Sequence, residues 1–175
     1  MMKKSKKLVD GSYMSIQVNF YEETEVADSL LKFAVIAARY DNRWVFCRHE
    51  DRTTYEMPGG HRELGEKILD TAKRELQEET GAISFAISSI CVYSVTREGM
   101  ISYGKLFYAN IDLLGELPKE MEMCEIIFCD TLPEKLTYPD IQPYLHKKVL
   151  ETAENPPHTF PRARGKSSSP AFGGK

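Results

Sequence analysis

The period of the hydrophobic positions changes several times along the chain, and each change marks an element. Ser15 to Tyr21 alternates moderately between apolar and polar, as a strand does. Leu31 to Arg39 is nearly all apolar, the pattern of a strand buried on both faces. Asp41-Asn42 is a turn signal, and Arg43 to Arg48 reads as the hairpin partner. Tyr55-Glu56-Met57 is a short extended run, broken by Pro58-Gly59-Gly60 into a loop that can turn sharply. From Glu66 to Thr80 the period becomes helical, with Ile68, Leu69, Ala72 and Leu76 on one face among good helix formers. Ile83 to Thr96 and Ile101 to Asp112 flank Arg97-Glu98-Gly99 as a second hairpin, and Glu125 to Cys129 is another short strand. Asp140 to Glu151 forms a closing helix with Ile141, Leu145 and Val149 inward and Pro143 tolerated in its first turn. Mixed strands with a helix on either side predict an α/β/α sandwich built on a mixed β-sheet.

Composition bounds this picture. The chain has 175 residues and 42% hydrophobic content, enough for one domain with a real core. That domain is expected at 14–154, between a basic, flexible leader at 1–13 and a disordered tail at 155–175. The net charge of -3 hides a split between these parts. Residues 1–13 hold four lysines and one aspartate, and residues 155–175 hold Arg162, Arg164, Lys166 and Lys175, so 14–154 carries -10. An acidic body traps polyanions poorly by itself, so phosphate binding should require a divalent metal. No apolar run approaches a membrane span and Met1 to Gly11 has no hydrophobic centre, so a cytoplasmic protein is expected, as monomer or homodimer. Cys47, Cys91, Cys124 and Cys129 lack metal-ligand spacing and lie in strand-like runs, as buried free thiols do.

The helix at 66–80 carries the chemistry. At about 100° per residue its four apolar residues fill an arc roughly 100° wide. Glu75 and Glu79 fall along the edge and interior of that arc, and Glu78 lies about 60° beyond Glu75. Glutamates on a merely solvated face would sit opposite, with Lys67, Asp70, Lys73, Arg74 and Gln77. Like charges at this spacing repel by about 0.2–0.5 kcal/mol per pair, and half-buried carboxylates are costly until a cation neutralises them. Oxygen-only ligands suit a hard cation such as Mg2+ or Mn2+.

Gly60, Glu66, Arg74, Glu75, Leu76, Glu78, Glu79 and Gly81 also stand in one frame: Gly, five residues, Glu, seven residues, Arg-Glu, an aliphatic, any residue, Glu-Glu, any residue, Gly. Its seven fixed identities coincide by chance roughly once in 10^8 windows. The frame resembles the Nudix box; only Ala82 departs, where an Ile, Leu or Val is usual. The resemblance implies an α/β/α sandwich and a hydrolase of nucleoside diphosphate derivatives. It implies a metal shell of Glu75, Glu78, Glu79 and the Gly60 carbonyl, with Arg74 orienting the carboxylates. Glu66 is expected to be structural, pairing with Arg74 or capping. The general base is expected at Glu75 or on the acidic loop Glu120-Met121-Glu122-Met123-Cys124-Glu125, with Glu120 favoured by its distance before the Glu-Ile-Ile-Phe strand.

The segment from His49-Glu50-Asp51-Arg52 through Tyr55-Glu56-Met57-Pro58-Gly59-Gly60 is similar to MutT-like nucleoside triphosphatases, and more narrowly to Bacillus-type members discussed as oxidised-nucleotide triphosphatases and as RNA 5′-pyrophosphohydrolases. Arg52 and His61 are the substrate-binding candidates; His61 stands where Lys is common. The proline that ADP-ribose hydrolases place after the box is missing near Arg97. The expected substrate is therefore a nucleoside triphosphate, an oxidised purine nucleotide among them. The alternatives are the 5′ end of RNA, a sugar nucleotide or ADP-ribose, and a binding module without catalysis.

Overall fold

The computed structural model describes residues 6–7, 13–14, 16–118 and 122–154. Two short strands, β1 (Lys6–Lys7) and β2 (Tyr13–Met14), pair antiparallel with each other. The main sheet is organised by β4 (Leu31–Tyr40), the apolar run of the sequence. One edge of β4 runs parallel to β8 (Met100–Leu114), which forms a long hairpin with β7 (Ala82–Arg97), and β3 (Gln17–Tyr21) closes that side. The hairpin turns have the chirality that strand twist demands: φ is 47° at Asp41 and 63° at Asn42 in one, 52° at Glu98 and 79° at Gly99 in the other.

The other edge of β4 forks. Its first half, Phe33 to Val35, pairs with β6 (Gly59–His61), while Ala38 to Tyr40 pair with β5 (Arg43–His49). The outermost strand beyond β5 is β9 (Met123–Cys129). Gly59 and Gly60 are thus strand residues, where the sequence predicts a sharply turning loop. The reason is packing: a Cβ at Gly59 would strike the Ala34 carbonyl and stand 2.9 Å from the Val35 Cα, so only glycine lets this strand lie so close.

Helices cover both faces, as the two-sided apolar pattern of β4 requires. On one, Ala34, Ile36 and Ala38 pack with Ile68, Ala72 and Leu76 of α1 (Ile68–Thr80). On the other, Ala37, Trp44 and Phe46 pack with Leu145 and Val149 of α2 (Gln142–Glu154), with Ile141 partly buried against them. The expected α/β/α sandwich on a mixed sheet is what forms. Fully burying one residue of the size of Leu76 contributes roughly 1.5–3 kcal/mol. Each helix starts two residues later than its pattern predicts. Leu69 is also 39% exposed, because Ile68, Ala72 and Leu76 already fill the contact face. Gly81 ends α1 with φ 72° and gives its N–H to the Gln77 carbonyl at 2.9 Å. All four cysteines are free; Cys47 and Cys91 are buried as expected, but Cys124 is exposed.

Candidate active site

Three glutamates converge around the Arg74 guanidinium on the side of α1 that meets β6. Arg74 Nε donates to Glu66 Oε1 at 2.9 Å and Nη2 to Glu66 Oε2 at 3.1 Å, the fork geometry of a bidentate pair. Its Nη1 donates to Glu75 Oε1 at 2.9 Å and to Glu78 Oε2 at 3.1 Å, and its Nη2 to the His61 carbonyl at 3.0 Å. Helix geometry puts Arg74 beside Glu78, and the length of the side chain carries its head back over the half-buried edge. Glu66 also accepts from Thr71 Oγ1 at 2.7 Å and from the Glu63 N–H at 3.1 Å. These bonds, the Arg74 pair first, hold its carboxyl down at about 2.

Strand β6 supplies the opposite wall. The Gly59 N–H donates to Glu79 Oε2 at 2.8 Å. Gly60 lies directly against Glu75, and a Cβ there would overlap the Glu75 carboxylate, with Oε2 at 2.7 Å. Burial pushes the Glu79 carboxyl up to about 8 despite the Gly59 N–H, and the neighbouring charges of Glu75, Glu56 and Glu78 add to the effect. Burial raises Glu75 as well, against the pull of Arg74. Glu56 is buried and raised for the same first reason, with Arg52 Nη1 opposing it from 3.0 Å. Five carboxylates here face two guanidiniums, so the cluster holds a surplus of negative charge.

Beyond β6 opens a largely apolar cavity of about 400 Å³. Gly59, Gly60 and His61 line it, so one strand touches both the carboxylates and the cavity. Phe33, Val95, Met100 and Tyr138 contribute apolar wall, and Glu56, Arg97, Ser102 and Gln142 contribute polar groups. This volume is in the range of small-molecule sites.

The structure brings Gly60, Arg74, Glu75, Glu78 and Glu79 together, with His61 and Arg52 at the same cleft. His61 stacks edge-on against Phe33, ring centroids 4.5 Å apart. Arg52 reaches the cleft through Glu56 and lies 5.8 Å over the Tyr138 ring. Glu120 lies outside the described residues. Of its loop, Glu122 meets His49 Nε2 at 3.1 Å, and Glu125 is taken by Arg48 and Tyr55 at 2.7 and 3.1 Å. Sequence pattern does not reveal Glu56 or the cavity residues Tyr93, Ser102, Tyr138 and Gln142, which come from separate elements and carry no shared motif. Among the described residues, no three acid, His or Cys side chains stand at ligand distance of a common point. Glu79 is turned onto Gly59, and Glu75 and Glu78 onto Arg74. The donors are nevertheless all oxygen, mutually adjacent and in excess of positive charge, a set that fits a hard divalent cation.

Residues 30–127 match the NUDIX domain, and the chain belongs to that family. It is a Nudix hydrolase. The Bacillus subtilis protein named "Putative 8-oxo-dGTP diphosphatase YtkD" is 29% identical over 123 residues, which are 70% of this chain and 76% of that protein. The Mycobacterium tuberculosis "Putative mutator protein MutT4" is 31% identical over 127 residues, 69% of this chain but only 46% of that protein. The crystal structure of the Bacillus subtilis pyrophosphohydrolase BsRppH superposes with a TM-score of 0.67, covering 85% of this chain and 97% of that one at 24% identity, a likeness of fold. Among the described residues no helix is long and apolar enough to cross a membrane.

Proposed function

We propose that this enzyme hydrolyses a nucleoside triphosphate to the monophosphate and pyrophosphate, with the polyphosphate at the α1–β6 carboxylates and the base in the adjoining cavity. The observation that carries this reading is the position of β6: Gly59 and Gly60 contact Glu79 and Glu75 on one side and line the cavity on the other. The name of the YtkD relative supports a nucleotide of this kind, an oxidised purine nucleotide included.

Glu75, Glu78, Glu79 and the Gly60 carbonyl would hold Mg2+ or Mn2+. Such an ion, when bound, neutralises phosphate charge and activates water for in-line attack on phosphorus. Arg74 keeps Glu75 and Glu78 oriented and offsets their repulsion. Glu75, whose carboxyl burial raises above its ordinary value, or Glu120 takes the proton of the attacking water. Arg52 and His61 meet the substrate at the mouth of the cleft.

Replacing Glu78 by Gln removes one charged ligand and should cost roughly 10^2-fold or more in kcat, with the fold retained. Near-normal turnover of that variant, or full activity in excess chelator, would overturn the metal assignment. Hydrolysis in 18O-water should place label on phosphorus of the monophosphate or pyrophosphate. Label confined to orthophosphate would point to a different phosphatase.

A further inference from the structure

We infer that His146 makes α2 a pH-sensitive wall of the cavity, docked while the imidazole is neutral and loosened when it takes a proton. Gln142, Leu145, His146 and Val149 recur at i, i+3, i+4 and i+7 and are all buried, so His146 stands in the middle of the stripe by which α2 rests on the sheet. The ring is 7% exposed and meets Trp44 edge-on, with centroids 4.6 Å apart. Its Nε2 is buried and has no hydrogen-bond partner. Arg39 of β4 lies 5.0 Å over the same indole and donates to the Asn42 backbone carbonyl, not to a carboxylate. The other titratable groups of this layer are Tyr108 on β8, edge-on to Trp44, Cys91 and Tyr93 on β7, and Cys129 on β9. On α2 itself, Lys147 is turned to Glu151, and Lys148 to the Phe20 ring of β3.

Neutral imidazole fits this seat, because it leaves a single uncharged atom unpaired. Imidazolium does not. It carries N–H on both ring nitrogens, so Nε2–H has no acceptor, and its charge is added where Arg39 is the one charged group acting on it. Burial first, then Arg39, accordingly hold its pKa below the ordinary histidine value. The undocked chain takes up this proton near pH 6.5, and the docked helix only at lower pH. Docking is therefore full above about pH 6.5 and is lost as the pH falls below it. Ile141, Gln142 and Leu145 line the cavity, so the helix that loosens is one of its walls.

Trp44 is the single tryptophan of the chain and 6% exposed, so its emission reports this contact directly. On passing from about pH 7.5 to about pH 5.5, either side of the ordinary histidine value, acrylamide quenching of the full chain should rise severalfold, with a red shift. Hydrogen exchange of the α2 amides, corrected for intrinsic rate, should quicken about 10-fold or more over the same range, while that of β4 does not. His146→Gln and His146→Phe keep every other titrating group, and at least one of them should hold the docked signal at both pH values. Variants that both respond as the parent does, or are both open throughout, would overturn the inference. So would dimming of Trp44 without a red shift or faster α2 exchange, which is contact quenching by an imidazolium on a helix that stays docked. Exchange that quickens equally in β4 and α2 would show global unfolding and overturn it too.

Discussion

Arg74 gives its donors to Glu66, Glu75, Glu78 and the His61 carbonyl, so one residue ties the approach to α1, its carboxylate edge and β6 into a unit. Lysine keeps the charge but has no fork, so it can meet these acceptors only by turns. Arg74→Lys should fold with stability reduced by about 1–3 kcal/mol, less than for a fully buried pair because the site is partly open. Its kcat should drop about 10-fold or more, since Glu75 and Glu78 lose their shared anchor. Denaturant unfolding and steady-state kinetics check both; an unchanged kcat would reduce Arg74 to a surface ion pair.

At the scale of the element, β6 shows two neighbouring glycines doing different work. The space a Gly59 side chain needs is taken by the backbone of β4, which cannot move without breaking the pairing of Phe33, Ala34 and Val35. The space a Gly60 side chain needs is taken by the end of the Glu75 side chain, which can turn away. Gly59→Ala should therefore destabilise the fold by about 1–3 kcal/mol or more, the usual cost of overpacking. Gly60→Ala should keep nearly the parent unfolding midpoint but lose activity about 10-fold or more as Glu75 is displaced. The two midpoints and the two kcat values test this, and a Gly60→Ala enzyme with parent activity would remove Glu75 from its assigned place.

For the whole molecule the question is where the substrate's charge is met. Residues 14–154 carry -10, while the cationic surplus lies in 1–13 and 155–175. A free nucleotide needs only the carboxylate site with its cation, so removing 1–13 and 156–175 should change kcat/KM by less than about twofold. The 5′ end of RNA would bring several more phosphates, with affinity falling along a log-log salt slope near -0.7 per phosphate met on a single strand. A tail with few arginines and no interleaved aromatics is a weak element for that purpose. Loss of activity on truncation seen only with RNA and greatest at low salt would favour the RNA reading instead.

The frame from Gly60 to Gly81 and the two-sided apolar run of β4 were enough to determine the family chemistry and the layered fold, because both are local: helix spacing places Glu75, Glu78 and Glu79, and strand pattern places the layers. Glu66 reads correctly as the Arg74 partner for the same reason, two turns away on one helix approach. Tertiary structure decided the rest. Whether Gly59-Gly60 turned or paired depended on the edge that β4 left free, which no window around the glycines contains. Glu56 became buried beside Glu79 and Gln142 reached the cavity because the forked edge, the β7–β8 hairpin and α2 close around one space. Burial, and with it the raised carboxyl of Glu79 and the unpaired amide of Gln142, arises from groups far apart in sequence, and sequence periodicity records only which face is apolar.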